Sequence, residues 1–294
     1  MQTKRDIERL LASAAVAPKH RLGQHFLIDL NLMRWLVEAA QIASDDVVLE
    51  VGCGTGSLTE ALAQTAARVL AVECDDDLVR IARRQLGEIA NVELLHTDVL
   101  AGKHALAPAV VDTLRRAREG HAGRLLLVAN LPYSVAAPVM ANLIVGPVRA
   151  DGMIVTIQKE VGERMAADPG DGTYGPLSIL MGATGHVEIL RRLPPEAFWP
   201  RPQVESVIAA YRPDPAKARR IANAGLLMEV VQLFMTHRRK TLRGCVRLIR
   251  GPLADADWPA FFEQAAADPS QRPERLTPDQ YVALANAAAK ALGP

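Results

Sequence analysis

The sequence predicts an α/β fold with a mostly parallel sheet, followed by a small C-terminal domain made of helices. Short apolar runs rich in Val, Ile and Leu alternate with segments of helical spacing, as in parallel α/β proteins. A glycine-rich turn follows the first run. Beyond residue 215 the chain carries helical patterns alone. We therefore assign residues 1–213 to the α/β domain and 214–294 to the helical domain.

Seven apolar runs have the length and composition of strands: 47–51, 69–73, 92–95, 125–128, 152–157, 186–190 and 205–211. Helical spacing between them predicts helices at 57–66, 75–86, 134–144 and 158–167, with Asp75 as an N-cap. The two prolines of 211–215 predict a linker. Further helices are predicted at 222–236, 240–249, 257–267 and 278–291.

The composition excludes several classes of protein. At 49% hydrophobic and 23% charged residues, the chain can bury a core and is neither disordered nor collagen-like. Its three cysteines, Cys53, Cys74 and Cys245, are too scattered for a disulfide framework or a zinc site, and we expect no metal. The N-terminus lacks the apolar core of a signal peptide, and polar residues and prolines interrupt the most apolar stretch, 125–145. We expect a cytoplasmic protein without a membrane segment.

Charge is unevenly distributed, although the net charge is only +1. Residues 217–250 contain nine Lys or Arg and one acid, Glu229, a local charge of +8, whereas residues 251–294 carry −3. A basic block of this kind indicates a surface for a polyanion. The alternative is a solvated helix face.

Polar or glycine elements follow four successive predicted strands. The first strand runs into Gly52-Cys53-Gly54-Thr55-Gly56, and the next three end at Glu73, Asp98 and Asn130. Glycines let the main chain approach a ligand closely, and open α/β sheets bind ligands at their carboxyl edge. The Glu73 carboxylate could accept from both hydroxyls of a ribose. Taken singly, Glu73 could be a solvated strand end and Asp98 an Asx turn.

The tetrapeptide Asn130-Leu131-Pro132-Tyr133 is the most distinctive motif of the chain. Proline forces a turn after the strand, so the Asn130 amide oxygen and a neighbouring main-chain carbonyl can act as two acceptors. Such a pair suits an exocyclic NH2 group, and Tyr133 could stack on a base taken out of its strand. The alternative is a proline turn with a core tyrosine.

These motifs resemble those of S-adenosylmethionine-dependent adenine N6-methyltransferases: GCGTG, the strand-end Glu73, HTD at 96–98 and NLPY. Longer segments narrow the resemblance to the ribosomal RNA adenine dimethyltransferases of the bacterial KsgA type. They are PKHRLGQHFLID at 18–29, QKEVGERM at 158–165, TYGPLSI at 173–179, FWPRPQVESV at 198–207 and FMTHRRKTLRG at 234–244.

The resemblance implies a Rossmann-like methyltransferase sheet that binds S-adenosyl-L-methionine. It implies cofactor contacts by His25, Leu27, Gly52, Gly54, Gly56, Glu73, Asp98 and Asn130. It places the target adenine against Asn130, Leu131, Pro132 and Tyr133, with Phe198 closing the other side of the pocket.

The resemblance also implies an RNA substrate. This would be two adjacent adenosines in the loop of the last hairpin of small-subunit (16S) ribosomal RNA, within an immature 30S particle. The RNA phosphates would meet the basic segment, which comprises His237, Arg238, Arg239, Lys240 and Arg243. We expect a monomer.

The chain departs from the family pattern at four places. His25 replaces the usual asparagine, Pro176 an arginine and Gly244 a common asparagine, and the segment 99–123 is longer than expected. We expect none of these to touch NLPY, so they should bear on RNA affinity rather than on catalysis.

Three alternatives remain open at this point. An erythromycin-resistance type methyltransferase shares the core but modifies large-subunit RNA, and the FWPRPQVESV and HRRKTLR segments argue against it. A non-catalytic RNA-binding assembly factor would be favoured by loss of Asn130 or of the glycine loop, and both are present. An NAD-dependent dehydrogenase is disfavoured by Ser57, which stands in place of the last fingerprint glycine, and leaves NLPY unexplained.

Overall fold

The computed structural model describes residues 1–19, 22–102 and 105–292. His20 and Arg21 of the 18–29 segment, and residues 103 and 104 of the 99–123 segment, lie outside the described residues. The chain forms two units. The first contains Met1–Leu143, Pro147–Gly162 and Glu188–Tyr211, and the second contains Ile144–Gly146, Glu163–Val187 and the chain from Arg212 onward. The segment Glu163–Val187 thus groups with the C-terminal helices, whereas a division at residue 213 would leave it with the sheet.

The strands, in chain order, are β1 (Phe26–Leu27), β2 (Val47–Val51), β3 (Arg68–Glu73), β4 (Val92–His96), β5 (Leu100–Gly102), β6 (Ala105–Leu106), β7 (Leu125–Asn130), β8 (Gly152–Gln158), β9 (Gly185–Leu193), β10 (Phe198–Trp199) and β11 (Ser206–Pro213). Seven of them form one sheet in the order β4-β3-β2-β7-β8-β11-β9. Neighbours from β4 to β8 are parallel, and β11 is antiparallel to β8. Two-stranded ladders join β1 to β10 and β5 to β6.

The helices are α1 (Lys4–Ser13), α2 (Leu30–Ala40), α3 (Ser57–Ala63), α4 (Asp76–Leu86), α5 (Pro108–Glu119), α6 (Ala136–Val145), α7 (Lys159–Met165), α8 (Pro176–Thr184), α9 (Pro215–Ala218), α10 (Ala224–Thr236), α11 (Leu242–Val246), α12 (Trp258–Gln264) and α13 (Pro278–Leu292). The predicted N-cap is confirmed, because the Asp75 side chain accepts from the N–H groups of Asp77 and Leu78 at the start of α4. All five residues of β2 are buried, as expected for a central parallel strand with helices on both faces.

The mostly parallel sheet was predicted correctly, and each of its seven strands overlaps a predicted run. Five of the described helices were missed: α1, α2, α5, α8 and the short α9. The long 99–123 segment is explained by the β5–β6 ladder and α5, which connect β4 to β7. Val110, Leu114 and Ala117 form the buried face of that helix.

The predicted linker at 211–215 contains the change from the first unit to the second, at Tyr211 and Arg212, but it is not an irregular segment. Strand β11 continues to Pro213, and α9 begins at Pro215. The Asp214 side chain caps α9 by accepting from the N–H groups of Ala216 and Lys217. Proline suits the first position of a helix because its missing N–H is not needed there. The two prolines therefore mark the end of a strand and the start of a helix.

The second unit is built around aromatic side chains. The rings of Phe234 and Trp258 lie 5.3 Å apart in an edge-to-face arrangement, and Phe262 and Tyr281 pack on Phe234. The buried Tyr281 hydroxyl donates to the carbonyl of Pro273. This packing satisfies a buried polar group while it joins α10, α12 and α13.

No helix within the described part of the chain is both long and apolar enough to cross a membrane.

A buried carboxylate fixes the start of the central strand. Asp46, directly before β2, accepts from the main-chain N–H groups of Ala43 and Arg124 at 2.8 Å each. It also accepts from the Arg124 guanidinium at 2.6 Å. Burial opposes ionisation of Asp46, but these hydrogen bonds outweigh it and hold the pKa of its carboxyl below the usual value.

We expect Asp46→Ala to lower the free energy of unfolding by about 2–4 kcal/mol, because it leaves two main-chain donors and a guanidinium without their acceptor. Because the pKa of Asp46 is lower in the folded protein than in the unfolded chain, its ionised form stabilises the fold fully above the unfolded-state pKa. The difference in stability between wild type and Asp46→Ala should shrink as pH falls from that value through the lowered pKa of the folded state. Urea unfolding at neutral and acid pH measures both effects. The exposed neighbour Asp45→Ala is the control, and an equal loss in both variants would contradict this account.

Candidate active site

A cavity opens at the carboxyl ends of β2, β3 and β7, where polar elements were predicted to converge. Its lining contains the following predicted site residues: His25, Leu27, Gly52, Gly54, Glu73, Asp98, Asn130, Leu131, Pro132 and Tyr133. Parallel strands end at one edge of a sheet, so the loops that follow them share this edge. The predicted convergence is confirmed.

The loop after β2 turns through glycines in the left-handed region. Gly52 has φ of 76° and Gly54 has φ of 60°. A Cβ added to Gly52 would lie 2.6 Å from Pro132 Cγ, and one added to Gly54 would lie 3.0 Å from Phe26 Cε1. The loop therefore needs glycine both for its conformation and for its contact with the NLPY turn.

Gly56 has a different position from the other two glycines. It caps α3 with φ of 83°, and a Cβ there would meet Leu86 at 2.8 Å. It is not among the residues that line the cavity. Its structural contribution is therefore to pack the loop on α4, not to face a ligand.

Glu73, at the end of β3, is only 6% exposed. Its carboxylate accepts from the main-chain N–H groups of Gly54, Cys74 and Asp75 at 2.9–3.0 Å. Burial raises the pKa of this carboxyl, and the three amide donors partly offset the rise. The side chain thus ties the glycine loop to β3 and places an acceptor in the cavity wall.

Glu50, which sequence reasoning missed, also lines the cavity. It is 2% exposed and accepts from the Thr59 hydroxyl at 2.6 Å. Burial raises the pKa of Glu50 to about 8, and repulsion from Glu73 adds to the rise. An acid inside the apolar run VVLEV is itself an unusual pattern and could have indicated this residue.

Asp98 lies exposed at the rim of the same cavity. One of its carboxylate oxygens accepts from the N–H of Leu100 at 2.9 Å, which is an Asx turn. The turn orients the carboxylate, so the structural and the ligand-binding interpretations of Asp98 are compatible.

The hydrogen bonds of Asn130 determine which end of its amide is free. The Asn130 Nδ2 donates to the main-chain carbonyl of His25 at 2.8 Å. A carbonyl can only accept, so the amide nitrogen must point toward His25. The N–H of the next residue, Leu131, donates to the carbonyl of Thr156 on β8 at 3.0 Å. The turn is thereby held on both sides while the Asn130 amide oxygen remains an acceptor.

Tyr133 is half-buried and held by its hydroxyl, which lies 2.9 Å from the Ser206 hydroxyl. Burial raises the pKa of Tyr133, so its hydroxyl is neutral at physiological pH. The His25 ring lies 5.4 Å from the Tyr133 ring, tilted by 32°, so the expectation that the substitution at position 25 does not touch NLPY is wrong. Ser206 was not predicted as a site residue, although it belongs to the FWPRPQVESV segment.

Phe198 does not close the pocket as predicted. It is 2% exposed in the hydrophobic core and is not among the cavity-lining residues. Its strand, β10, pairs with β1, which sets Phe198 opposite Leu27 and Trp199 opposite Phe26. Burial of the Phe198 ring in the core is the physical reason for this correction. Leu27 contributes both to this core and to the cavity wall.

The N-terminal residues also belong to the site, although they were not predicted to. The Gln2 side chain donates to the carbonyl of Thr55 at 3.2 Å and accepts from its hydroxyl at 2.6 Å. Ile7 of α1 lines the cavity. A capping box formed by Thr3 and Asp6 starts this helix, and that spacing could have revealed it.

The residues that line the cavity fit S-adenosylmethionine chemically. The glycine loop leaves room for close approach of a ligand, and Glu73 offers an acceptor for hydroxyl groups. Glu50 and Glu73 are buried acids with raised pKa values, and the positive charge of this cofactor would favour their ionised forms. Among the residues that the structure describes, no group of His, Cys, Asp and Glu is placed to hold a metal ion.

The basic segment lies in the second unit, from the end of α10 to α11. Arg238, Arg239, Lys240 and Arg243 are exposed, whereas His237 is half-buried at the C-terminus of α10. None of these four cations takes part in an ion pair found between described residues. Their charges face solvent and can reach phosphates.

Comparison with known proteins identifies relatives across nearly the whole chain. The chain is 33% identical over 292 residues to the probable ribosomal RNA small subunit methyltransferase A of Methanopyrus kandleri, covering 97% of each protein. It is 36% identical over 266 residues to the ribosomal RNA small subunit methyltransferase A of Clostridium perfringens, covering 90% of this chain and 89% of that one. The protein of that name from Levilactobacillus brevis is 37% identical over 272 residues, covering 92% and 89%.

Solved structures show the same fold. A dimethyladenosine transferase from Plasmodium falciparum matches with a TM-score of 0.64 at 22% identity, covering 86% of this chain and 94% of that one. The 23S rRNA methyltransferase ErmE matches with a TM-score of 0.56 at 21% identity, covering 89% and 98%. The sheet and its helices therefore have the Rossmann-like fold of these two proteins.

The family model for ribosomal RNA adenine dimethylase matches residues 16–258, which include every residue predicted for the site. A match over this length, together with relatives of 33–37% identity, establishes the membership that the sequence motifs predicted. The chain belongs to the ribosomal RNA adenine dimethylase family, whose members use S-adenosylmethionine.

Proposed function

We propose that this protein transfers methyl groups from S-adenosylmethionine to N6 of two adjacent adenosines in the 3′-terminal hairpin loop of small-subunit ribosomal RNA. One observation carries the proposal. The Asn130 amide nitrogen is occupied by the His25 carbonyl, and its oxygen is left as an acceptor within a cavity suited to the cofactor. An acceptor so fixed selects a substrate with hydrogens to donate, as the adenine amine has.

The mechanism follows from the acceptors of the NLPY turn. Bound S-adenosylmethionine supplies an electrophilic methyl group. The Asn130 amide oxygen and the Leu131 carbonyl accept from the adenine N6 amine. They favour a more tetrahedral nitrogen and stabilise the positive charge that develops on it. Holding the amine in place provides most of the rate enhancement, so the turn needs no histidine or carboxylate nucleophile.

The residues that line the cavity would bind the cofactor. The loop at Gly52 and Gly54 passes the methionine moiety, Glu73 accepts from the ribose hydroxyls and Asp98 contacts the adenine amine. His25 and Leu27 line the same cavity. The neighbouring Glu50 lines the same cavity, and a bound positive charge would favour the ionised form of its carboxyl.

The target adenine stacks on the Tyr133 ring, which is fixed before the base arrives. Entry requires the base to leave its stack, and this costs least in a single-stranded loop. The basic segment contacts the RNA phosphates, and its partner is the RNA within an immature 30S particle. The protein acts as a monomer in the cytoplasm, where these particles are assembled.

Asn130→Ala should lower kcat for methyl transfer by about 100-fold or more, because the charge-stabilising acceptor is lost. The assay is transfer from labelled S-adenosylmethionine to immature 30S particles, followed by nucleoside analysis. Dimethyladenosine should be the wild-type product. Asn31→Ala, at an exposed position of α2, is the matched control and should keep wild-type rates.

Other outcomes of this assay separate the alternatives. An undiminished rate in Asn130→Ala would contradict the mechanism. Wild-type transfer to large-subunit RNA instead of 30S particles would identify an erythromycin-resistance type activity. Binding of particles without transfer to either RNA would identify an assembly factor.

Glu73→Ala should raise the Kd for S-adenosylmethionine by about tenfold or more. It removes the proposed acceptor for the ribose and leaves the Gly54, Cys74 and Asp75 amides without a partner. Isothermal titration calorimetry measures the Kd, and thermal unfolding checks that the variant is folded. The exposed Glu119→Ala at the end of α5 serves as the control. Equal Kd values for wild type and a folded Glu73→Ala would remove Glu73 from the cofactor site.

Replacing Arg238, Arg239 and Lys240 by alanine should weaken binding to 30S particles and reduce its salt dependence. Each lost phosphate contact lowers the slope of log K against log salt concentration by about 0.7–0.9. Filter binding over a series of salt concentrations measures the slope. A double alanine variant at Arg83 and Arg84, exposed at the end of α4, is the control. An unchanged slope would mean that the basic segment does not meet the RNA.

A further inference from the structure

His25 connects three separate parts of the candidate active site. Its main-chain carbonyl accepts from Asn130 Nδ2 at 2.8 Å, and its ring Nδ1 lies 2.7 Å from the carbonyl of Pro200. Its imidazole ring lies 5.4 Å from the Tyr133 ring. Segment 22–25 also runs close to the tyrosine main chain, since a Cβ on Gly23 would be 3.8 Å from Tyr133 N.

The contact with Pro200 fixes the imidazole. The Pro200 carbonyl can only accept a hydrogen bond, so the His25 Nδ1 must carry the hydrogen. This bond sets the rotation of the ring about its side-chain axis, because the donor direction lies in the ring plane. Pro200, directly after β10, therefore determines how the imidazole ring is oriented toward Tyr133.

Tyr133 is in turn restrained at two places. The Ser206 hydroxyl, on β11, binds the far end of the side chain at 2.9 Å. The tilted His25 ring contacts the tyrosine ring itself. A hydroxyl contact alone leaves the ring free to rotate about its long axis, whereas a second ring packed on it limits that rotation.

We propose that the His25 imidazole is a positioning residue that holds the Tyr133 ring in the orientation that receives the target adenine. The inference rests on the proposed function, in which Tyr133 stacks on that base. The family usually has asparagine at the position of His25, so this role would be specific to chains that carry a ring there. If the Tyr133 ring is already ordered before binding, less conformational entropy is lost when the base stacks on it, and RNA binding is favoured.

Side-chain substitutions at His25 separate this role from the main-chain contact. The hydrogen bond from Asn130 goes to the His25 carbonyl, so it is available to any residue at position 25. His25→Ala removes the ring and the bond to Pro200 together. His25→Asn keeps an amide donor but no ring, and His25→Phe keeps a ring but no donor. If the ring positions Tyr133, the His25→Phe variant should have a KM closer to wild type than the His25→Asn variant.

The kinetic test compares wild type with these three variants in methyl transfer to immature 30S particles. We expect His25→Ala and His25→Asn to raise KM for the particle by about fivefold, the size of effect that an aromatic pair contact carries. We expect kcat to change by less than about threefold, since the Asn130 contact is retained. His25→Phe should recover most of the loss in KM. His25 also lines the proposed cofactor cavity, so the Kd for S-adenosylmethionine is measured by calorimetry and should rise by a smaller factor than KM for the particle, because Glu73, Asp98 and the glycine loop are retained.

A spectroscopic test examines the contact without any substrate. The chain contains four tyrosines, so selective ring labelling gives a simple NMR spectrum in which Tyr133→Phe assigns the Tyr133 signal. Loss of the imidazole in His25→Ala should shift that signal and leave the signals of Tyr174, Tyr211 and Tyr281 in place. Preservation of these three signals also shows that the variant is folded.

Three results would overturn the positioning role. They are an unchanged KM in His25→Ala, a Tyr133 signal that does not move, and a large rise in the cofactor Kd, which would assign the ring to the cofactor site. A wild-type protein that transfers no methyl group would overturn the proposed function and, with it, the role of Tyr133. This failure is distinct, because it appears in wild type before any variant is compared.

Discussion

The candidate active site depends on the close approach of Gly52 to Pro132. A side chain at Gly52 would place its Cβ 2.6 Å from the proline ring and force the two loops apart. One loop is the glycine turn after β2 and the other carries Asn130, so this contact brings both loops to one cavity, where the proposed methyl donor and target amine would meet. Methyl transfer requires such proximity because the reaction is catalysed chiefly by positioning.

Two buried acids of the first unit lie in the wall of the same cavity. Glu50 and Glu73 are buried with few compensating charges, and burial raises the pKa of both carboxyls. A buried acid is costly unless hydrogen bonds or a cation offset it. The Thr59 hydroxyl and the amides around Glu73 supply part of that compensation. A positively charged cofactor in this cavity, as proposed, would supply the rest by favouring the ionised forms of both carboxyls.

Much of the fold followed from local patterns. The seven strands were recognisable because buried parallel strands form continuous apolar runs, as in Val47–Val51. Helices such as α2 and α5 were missed although their buried residues recur at helical spacing. The 211–215 stretch was misjudged, since proline ends a strand and begins a helix as readily as it forms a linker. Phe198 was misplaced because a sequence motif does not say which face of a short strand meets the core.

The sequence by itself determined the chemistry of this protein: the glycine loop, the strand-end acids, the NLPY turn and the basic segment are local patterns whose meaning does not depend on distant residues. The tertiary structure alone decided how these groups are oriented. Asn130 presents its amide oxygen because a carbonyl 105 residues away, that of His25, occupies its nitrogen. Tyr133 is held by Ser206, which is 73 residues distant. Hydrogen bonds between residues so far apart form only when the sheet brings their loops to one edge, and no local pattern encodes that geometry.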